Sequence, residues 1–477
     1  MAFQSNSNNA WIFNGNNGNV NNGNNRINAY YGRGFRDSCS DDLHEVFLNA
    51  VVPLPELYFW YFYGRRGKRK SRAQLEYELE YIDHIFSLFW DFYFSEYIPG
   101  PCKAFMLHYP CLREVIAPRY PDRPPQTMWC ETIRPYVEKV LDPDSYSCRV
   151  GRGALRAVER LVELYYEESL GGQEPCVWFR IDQRSYFLHI SKAGMVEQYR
   201  PIIEEAWVDN PAKRDFMLWL CRILYESDTI SRAVRLCPRW EWDPLPAHKS
   251  RFNLPPDQGV DIGNLIAQIA GNLKAVRYLA PFNEYGYRKV HYTDDIIGPL
   301  RVSRLRQFLH FFIPHLRTVE AAEGLELNEG KTVIRKAHQG ICAFGYYIKV
   351  RPDGTAYVVP SKRIVHNALW KIEYHLERGR FDRGYRIRNK EHFRDCINSY
   401  YGIFKHCCSY ELREEIGEMI LCSAWAEQLE FLPDYRHSRI RRCWTKKAYY
   451  THKNKQIIKN LSFSYGNTTA NQRACSA

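Results

Sequence analysis

Two rhythms of apolar and polar positions run along this chain, and together they predict both helices and strands. Over several long stretches, apolar residues recur at helical spacing. Shorter apolar runs, bounded by turn residues, predict strands. The predicted helices are 75–97, 156–167, 217–227, a helix after a Gly-led turn within 259–280, 302–314 and the whole of 361–435, which is predicted to be all helical. The predicted strands are 177–182, the two arms of a hairpin within 290–298, and extended segments at 340–350 and 355–359.

The hairpin within 290–298 carries two adjacent carboxylates, Asp294 and Asp295, between apolar flanks. Alternating flanks predict a strand on each side and an exposed Asp-Asp tip. Neighbouring negative charges repel each other, and a divalent cation relieves that repulsion. Mg²⁺ held by a few carboxylates and by substrate phosphates is the usual arrangement in polymerase sites. The other adjacent pair, Asp41 and Asp42, has polar neighbours, which indicates a solvated helix start.

Composition narrows the class of partner. The 477 residues carry a net charge of +12. A basic balance favours a polyanionic partner, although a basic protein that merely stays soluble is the alternative. The 15 cysteines are scattered and include no Cys-x-x-Cys pair, which predicts reduced thiols and no zinc site. Because no apolar run reaches membrane-spanning length and the N-terminus has no apolar signal segment, the expected location is the cytoplasm, without a membrane partner.

Both ends of the chain differ from its body. Residues 1–36 are rich in Asn and Gly, so they are expected to be disordered alone, as a passive tail or a functional arm. The segment 435–460 has basic and aromatic residues but no acid, which suits single-stranded nucleic acid. A second basic run, 65–72, predicts a phosphate contact or a solvated loop. The predicted nucleic-acid contacts of the tail are Arg436, Arg439, Arg441, Arg442, Lys446 and Lys447.

Four sequence elements follow one another in a fixed order. The strand 177–182 ends at Asp182 and precedes an aromatic pair that ends at Phe187. A Gly-led turn then opens the helix at 259–268, and the Asp-Asp hairpin comes next. The run 324–332 and a Phe-Gly-Tyr triplet at 344–346 complete the order.

With the upstream segments 121–123 and 144–153, this order resembles the bacterial retroelement reverse transcriptases, near the group II intron, retron, diversity-generating and defence-associated enzymes. The resemblance spans residues 100–350 and implies a right-hand polymerase of the α+β class, with fingers, a palm built on an antiparallel sheet and a helical thumb. The implied domains are a leader at 1–36, fingers at 37–175, a palm with a fingers insertion at 176–350, a thumb at 351–435 and a basic tail at 436–477.

The resemblance also implies roles in nucleotidyl transfer. Asp182, Asp294 and Asp295 are implied to hold two Mg²⁺ ions, with the main-chain carbonyl of Gln183 as a further ligand and Mn²⁺ as a substitute metal. Bound there, the ions are implied to activate the primer hydroxyl and to neutralise the leaving pyrophosphate. Phe187 is implied to close against the sugar C2′ and to select dNTPs over NTPs, with an ordinary core Phe as the alternative.

Further implied contacts surround the nucleotide. Lys331 is implied to assist pyrophosphate release, with an exposed loop lysine as the alternative. Arg123 and Arg149 are candidates for the triphosphate or the template backbone, because a guanidinium group matches two phosphate oxygens at once. Residues of the Gly-led turn and helix are implied to line the templating base pair, namely Gly259, Gly263, Asn264 and Gln268.

One departure from the family pattern is Asp261, which stands where these enzymes usually have Pro, and it argues against ordinary processive copying. The chain shows no recognisable endonuclease, maturase or integrase segment after the thumb. The expected function is an RNA-directed DNA polymerase in antiphage defence, with a non-coding RNA, dNTPs and a DNA product as partners, and with self-association or a second operon protein. The alternatives are a diversity-generating or retron enzyme, a polymerase primed by a protein hydroxyl, and a catalytically idle nucleic-acid-binding scaffold.

Overall fold

The structure, a computed structural model, describes residues 12–13, 20–21, 40–67, 71–108, 111–432 and 435–440. The chain divides into two compact units, Met1–Phe344 with Val350–Thr355, and Gly345–Lys349 with Ala356–Ala477. Helices and strands are mixed, so the predicted α+β class is confirmed. The assignment of fingers, palm and thumb stays a prediction.

Helices form most of both units, because apolar residues at helical spacing give each helix one face that packs into a core. The helices are α1 (Ser40–Asn49), α2 (Leu54–Gly64), α3 (Arg72–Leu79), α4 (Tyr81–Tyr93), α5 (Arg123–Val140), α6 (Ala154–Glu168), α7 (Lys192–Ala206), α8 (Pro211–Glu226), α9 (Leu265–Glu284), α10 (Leu305–Gln307), α11 (Ile313–Ala322), α12 (Lys362–Gly379), α13 (Arg383–Phe404) and α14 (Tyr410–Leu421).

Strands occupy the predicted positions and several others. The strands are β1 (Ile12–Phe13), β2 (Val20–Asn21), β3 (Lys103–Leu107), β4 (Arg113–Ala117), β5 (Cys176–Asp182), β6 (Val234–Arg235), β7 (Val290–Tyr292), β8 (Asp295–Arg301), β9 (Val333–Lys336), β10 (Ile341–Ala343), β11 (Tyr346–Val350), β12 (Ala356–Pro360), β13 (Leu429–Phe431) and β14 (Ser438–Ile440). The strand at 177–182 and the hairpin within 290–298 are thus confirmed.

Two helical predictions need correction. The stretch 75–97 is two helices, α3 and α4, which meet at Glu80 with a non-helical φ of −127°. The break lets the rings of Tyr77 and Tyr81 both pack on Tyr61, at centroid distances of 5.5 and 5.3 Å. The region 361–435 is not all helical either, because it contains the strand β13, which pairs with β14 further along the chain.

A four-stranded antiparallel sheet in the order β7-β8-β5-β9 lies in the first unit. Its centre is tightly packed where Phe179 of β5 lies opposite Gly298 of β8. A Cβ on Gly298 would lie 2.6 Å from the Phe179 ring and would also meet the carbonyl of Arg288. Only Gly therefore allows these backbones to approach, which holds β5 and β8 in register.

Buried aromatic residues pack helices around this sheet. Phe179 contacts Phe282 of α9 and Phe308, with ring centroids 6.0 and 4.9 Å apart. A second sheet, in the order β4-β3-β6, combines an antiparallel and a parallel pair.

The second unit has its own core, formed mainly by α12, α13 and α14 around the buried side chains of Ile372, Phe393 and Trp425. Across the described part of the chain, none of the helices has the length and apolarity needed to cross a membrane.

Candidate active site

The register of the central sheet brings the predicted acidic residues together. β5 ends at Asp182 and β8 begins at Asp295, and the two residues lie directly opposite each other. Such pairs in antiparallel strands have Cα atoms about 4.5–5.5 Å apart. Because Tyr292 of β7 also pairs with Asp295, the connecting turn consists of Thr293 and Asp294 alone. The expectation of an Asp-Asp tip is therefore wrong for Asp295, which belongs to the strand.

The turn is strained and specifically supported. Thr293 has a φ of +62°, a conformation that a β-branched residue rarely adopts and that costs about 1–3 kcal/mol. Its hydroxyl lies 2.7 Å from the hydroxyl of Ser147. Its carbonyl accepts a 2.8 Å hydrogen bond from Nε2 of His291. These contacts hold the turn, and with it Asp294, in one position.

His291 supports the turn as a neutral side chain. It is fully buried, and burial lowers its pKa to about 4. Since Nε2 donates to the turn, Nδ1 accepts the hydrogen bond from the hydroxyl of Ser145, at 2.9 Å. A neutral imidazole adds no positive charge beside the carboxylates.

Asp182 is the most buried of the three acids, with 2% of its surface exposed. Its Oδ1 accepts a 2.8 Å hydrogen bond from the side-chain amide of Asn328, and its Oδ2 lies 3.2 Å from Nζ of Lys331. The main-chain amide of Asn328 also donates to the carbonyl of Asp182, at 2.8 Å. Within the run 324–332, the side chains of Asn328 and Lys331 thus orient the Asp182 carboxylate, and the main chain of Asn328 fixes the Asp182 backbone.

Asp295 is paired with Arg180 of β5. The Nε and Nη2 atoms of Arg180 both donate to Oδ1 of Asp295, at 2.9 and 2.7 Å. Burial raises the pKa of Asp295, and the guanidinium group opposes that rise. Arg180 thus balances the charge of one of the three carboxylates.

Of the three carboxyl groups of the site, Asp294 has the most strongly shifted pKa. Its pKa is raised to about 6, mainly by burial and in addition by the nearby charges of Asp295 and Asp182. The repulsion among the three carboxylates therefore acts on Asp294, and a cation bound beside Asp294 would relieve it.

The donor set fits Mg²⁺ in chemistry. Among the residues that the structure describes, no group of three or more His, Cys, Asp or Glu side chains is arranged to hold a metal ion by itself. Mg²⁺, however, is usually bound through one or two carboxylates together with substrate phosphates and water. Asp182 and Asp294 supply such carboxylates, whereas one oxygen of Asp295 is already occupied by Arg180.

Gln183 links the strand end to the turn. Its main-chain amide donates to the carbonyl of Asp294 at 3.1 Å, and its side-chain amide donates to Oε1 of the buried Glu320. Burial raises the pKa of Glu320 to about 7. The role of the Gln183 carbonyl as a metal ligand stays a prediction.

Phe187 lies in a short 3₁₀ turn, Tyr186–Leu188, that follows β5. It is half-buried, and a Cβ added to Gly271 of α9 would lie 3.1 Å from its ring. The hydroxyl of Tyr186 donates to the carbonyl of Gly271 at 2.6 Å. The ring is therefore held against α9, and its role in sugar selection stays a prediction.

The Gly-led turn packs on β4. Gly263 has a φ of +117°, and a Cβ there would lie 2.8 Å from the side chain of Val115. Asn264 precedes α9 and is buried, whereas Gln268 is exposed on that helix. Contact of these residues with a templating base pair stays a prediction.

The unexpected carboxylate of Asp261 has a structural partner. It is 5% exposed, and its Oδ1 lies 3.3 Å from Nε of the buried Arg251. Arg251 also donates to the carbonyls of Pro255 and Pro256, at 3.1 Å each. The carboxylate thus helps fold the turn, and its bearing on template copying stays a prediction.

The two predicted phosphate-binding arginines differ in their surroundings. Arg149 donates to the carbonyls of Asp142 and Ser145, at 2.8 and 2.9 Å, and pairs with Glu138 at 2.7 Å. Its guanidinium group thus serves the protein itself in this structure. Arg123 begins α5 and lies 5.9 Å from the ring centroid of Tyr120. Phosphate binding by either residue stays a prediction.

Most of the basic tail falls outside the described residues. Arg436 and Arg439 are exposed, and Arg439 lies opposite Glu430 in the β13–β14 pair. In the other basic run, Arg65 is buried and paired with Glu78, so at Arg65 neither a solvated loop nor a phosphate contact fits. Apart from Ile12–Phe13 and Val20–Asn21, the leader lies outside the described residues, and so do the predicted contacts Arg441, Arg442, Lys446 and Lys447.

Three contributors were missed in the sequence. Arg180 stands two residues before Asp182, so strand periodicity places both on one face. Asn328 lies within the motif run 324–332, next to the predicted Lys331. His291 lies in β7, two residues before Thr293 of the turn, but its hydrogen-bond partner Ser145 is 146 residues away.

Comparison with known proteins gives distant structural likeness only. No protein-family model and no curated protein matches the chain. Telomerase from Candida albicans, solved in complex with the TWJ fragment of telomeric RNA, aligns with a TM-score of 0.39 and 11% identity over 67% of this chain and 59% of that one. Apo telomerase from Candida tropicalis aligns with a TM-score of 0.40 and 11% identity over 68% and 58%. The match spans less than two thirds of either telomerase, and at this distance it carries no argument.

Proposed function

We propose that this protein is an RNA-directed DNA polymerase that adds dNTPs to a 3′ hydroxyl. The observation that carries the proposal is the pairing of Asp182 with Asp295, which directly follows the turn residue Asp294 at one end of the central sheet. Converging carboxylates at the end of a rigid sheet suit a reaction whose catalysis consists mainly of positioning and charge stabilisation. The order of motifs in the sequence, with its resemblance to reverse transcriptases, supports the same reaction.

Each polar residue of the site has a distinct part in this proposal. Mg²⁺ bound at Asp182 and Asp294 would supply activation of the primer hydroxyl and neutralisation of the triphosphate. Arg180 balances Asp295 and Lys331 lies beside Asp182, so that the remaining net negative charge of the three carboxylates falls on Asp294.

Lys331 is the residue best placed to follow the substrate. It lies 3.2 Å from Asp182, yet its side chain is 59% exposed, so the ammonium group has room to move towards a phosphate. A lysine ammonium is a compact charge on a flexible stem, which suits such a transfer. We propose that Lys331 leaves Asp182 when the triphosphate binds.

The biological setting is part of the same proposal. The family resemblance favours a defence-associated enzyme that acts in a bacterial cytoplasm with a non-coding RNA, and that makes repetitive or weakly templated DNA. A diversity-generating or retron enzyme would use the same site. Genomic context distinguishes them, because a template and variable repeat pair accompanies the diversity-generating enzymes.

The direct test is to purify the full chain with its bound nucleic acid and to add single labelled dNTPs with Mg²⁺. We expect incorporation that depends on the co-purifying RNA and is absent from Asp294→Asn. Asp209→Asn, which removes an exposed carboxylate, is the matched control and should retain activity. Lack of incorporation from every dNTP mixture by the wild-type chain, with RNA firmly bound, would refute the polymerase assignment.

One observation favours a second candidate, a nucleic-acid-binding scaffold without catalysis. Asp182 and Asp295 are each paired with a cation of the protein, Lys331 and Arg180. A scaffold would need no free carboxylate. Under the scaffold interpretation Asp182→Asn keeps the biological function, whereas under the polymerase interpretation it abolishes that function.

A further inference from the structure

Helix α12 of the second unit presents two large aromatic side chains to solvent. Trp370 is 59% exposed and Tyr374 is 42% exposed. They are four residues apart, so they lie on the same face of the helix. Arg363 and Arg378, seven residues before Trp370 and four after Tyr374, extend that face and are both exposed. We refer to these four residues as the aromatic stripe.

The rings of the stripe are arranged in a preformed way. The Trp370 and Tyr374 rings are nearly parallel, with an interplanar angle of 28° and centroids 6.3 Å apart. The Arg378 guanidinium lies 5.0 Å from the centroid of the Tyr374 ring. Just beyond the helix, Phe381 is 90% exposed and has Arg380 at 5.2 Å. Aromatic rings and guanidinium groups are therefore neighbours on this face of α12 and just beyond its end.

The core of the unit does not require this face. The opposite side of α12 supplies the buried residues Ala368, Ile372 and His375. Exposed aromatic residues that are grouped in this way, rather than scattered, mark a binding surface.

The charge of the surrounding segment identifies the kind of partner. Residues 362–394 contain ten Lys or Arg and four Asp or Glu, which is a net charge of +6. Basic groups attract phosphate, and exposed rings stack on nucleic-acid bases whose faces are free. A duplex hides its base faces between neighbouring base pairs, so stacking on Trp370 and Tyr374 requires an unpaired strand.

We propose that the aromatic stripe binds single-stranded nucleic acid, with bases stacked on Trp370 and Tyr374 and phosphates beside Arg363 and Arg378. The proposal goes beyond the polymerase reaction, because it needs neither Mg²⁺ nor the carboxylates of the first unit. It also differs from the predicted tail contacts, which begin at Arg436.

The test measures binding of a fluorescently labelled oligo(dT) to the full chain by anisotropy, without Mg²⁺ or dNTPs. We expect Trp370→Ala and Tyr374→Ala each to weaken binding roughly tenfold, in keeping with the loss of one stacked base. Trp370→Phe keeps an aromatic ring and should bind nearly as well as the wild type. Trp240→Ala removes an equally exposed tryptophan of the first unit and is the matched control.

An oligomer of the same length with abasic sugars separates stacking from charge. We expect it to bind weakly and with the same affinity to the wild type and to Trp370→Ala. Equal binding of oligo(dT) by Trp370→Ala and wild type, with both folded by circular dichroism, would overturn the proposal. Two other results would also overturn the proposal. One is a duplex of equal length that binds the wild type as tightly as oligo(dT) does and loses as much affinity in Trp370→Ala. The other is a stripe that is covered by the chain's own terminal segments.

The outcome is independent of the proposed reaction. Asp294→Asn should bind oligo(dT) like the wild type although it makes no DNA. Synthesis that survives in Asp294→Asn would refute the polymerase proposal alone, whereas oligo(dT) binding that survives in Trp370→Ala would refute the stripe proposal alone.

Discussion

Replacement of Asp294 by Asn should stabilise the protein while it abolishes DNA synthesis. In the folded chain the pKa of Asp294 is raised from 3.8 to about 6 by burial and by the charges of Asp295 and Asp182. The ionised form is therefore disfavoured by folding at neutral pH. Asn has a similar shape without the charge, so it removes that cost.

The magnitude follows from the shift. A rise of the pKa from 3.8 to about 6 corresponds to ~3 kcal/mol at most, since a shift of one pKa unit equals about 1.4 kcal/mol. Asp294 is only partly buried, and solvent screening reduces the gain to roughly 1–2 kcal/mol. The free energy of unfolding should increase by that amount.

The sign of the pH dependence is fixed by the direction of the shift. A carboxyl with a raised folded-state pKa contributes stability when protonated, and that contribution is lost as pH rises from about 4 to about 6. The advantage of Asp294→Asn should therefore be complete above pH 6 and should disappear below pH 4.

The assay is urea unfolding of wild type and Asp294→Asn at pH 7.5 and at the lowest pH at which both stay folded, with Asp209→Asn as the exposed control. Mg²⁺ should raise the stability of the wild type more than that of the variant, a readout that does not depend on activity. A variant less stable than the wild type at pH 7.5, or a gain that does not change with pH, would refute the electrostatic reasoning.

Three further changes test the packing and the charges of the site. Gly298→Ala should lower the free energy of unfolding by about 3 kcal/mol or more, because the added methyl meets backbone and ring atoms, whereas Gly402→Ala, where a Cβ meets nothing within 4 Å, should not destabilise the protein. Arg180→Gln leaves Asp295 partly buried without its cation, which should cost about 1–3 kcal/mol in urea unfolding at pH 7.5. Phe187→Ala should raise incorporation of NTPs relative to dNTPs by at least about tenfold in a primer-extension assay.

Each of these has a clear contrary result. Equal stability of Gly298→Ala and wild type would mean that the two central strands are not held together as described. If Arg180→Lys, which keeps the charge, were as unstable as Arg180→Gln, geometry rather than charge would dominate the pair. An unchanged preference between dNTPs and NTPs in Phe187→Ala would make Phe187 an ordinary core residue.

Local pattern in the sequence was enough to find the strand that ends at Asp182 and the hairpin that carries Asp294. Side chains alternate across a strand and repeat every 3.6 residues in a helix, so both signals are contained in neighbouring residues. The same locality explains the helices α6 and α8, whose apolar faces are continuous. It also explains why the break at Glu80 was missed, since the ring on which Tyr77 and Tyr81 pack belongs to Tyr61 of α2 and lies outside the local pattern.

Tertiary structure decided which residues of the site meet. The pairing of Asp182 with Asp295 joins strands that are more than a hundred residues apart, and the identity of the partners is set by strand register. The ion pairs of Asp261 with Arg251 and of Asp295 with Arg180 were equally invisible in the sequence, because a charge in a local pattern does not reveal its distant partner. The sequence by itself therefore determined the elements and the acidic residues they carry, whereas the packed fold decided which carboxylates are balanced and left Asp294 with the raised pKa.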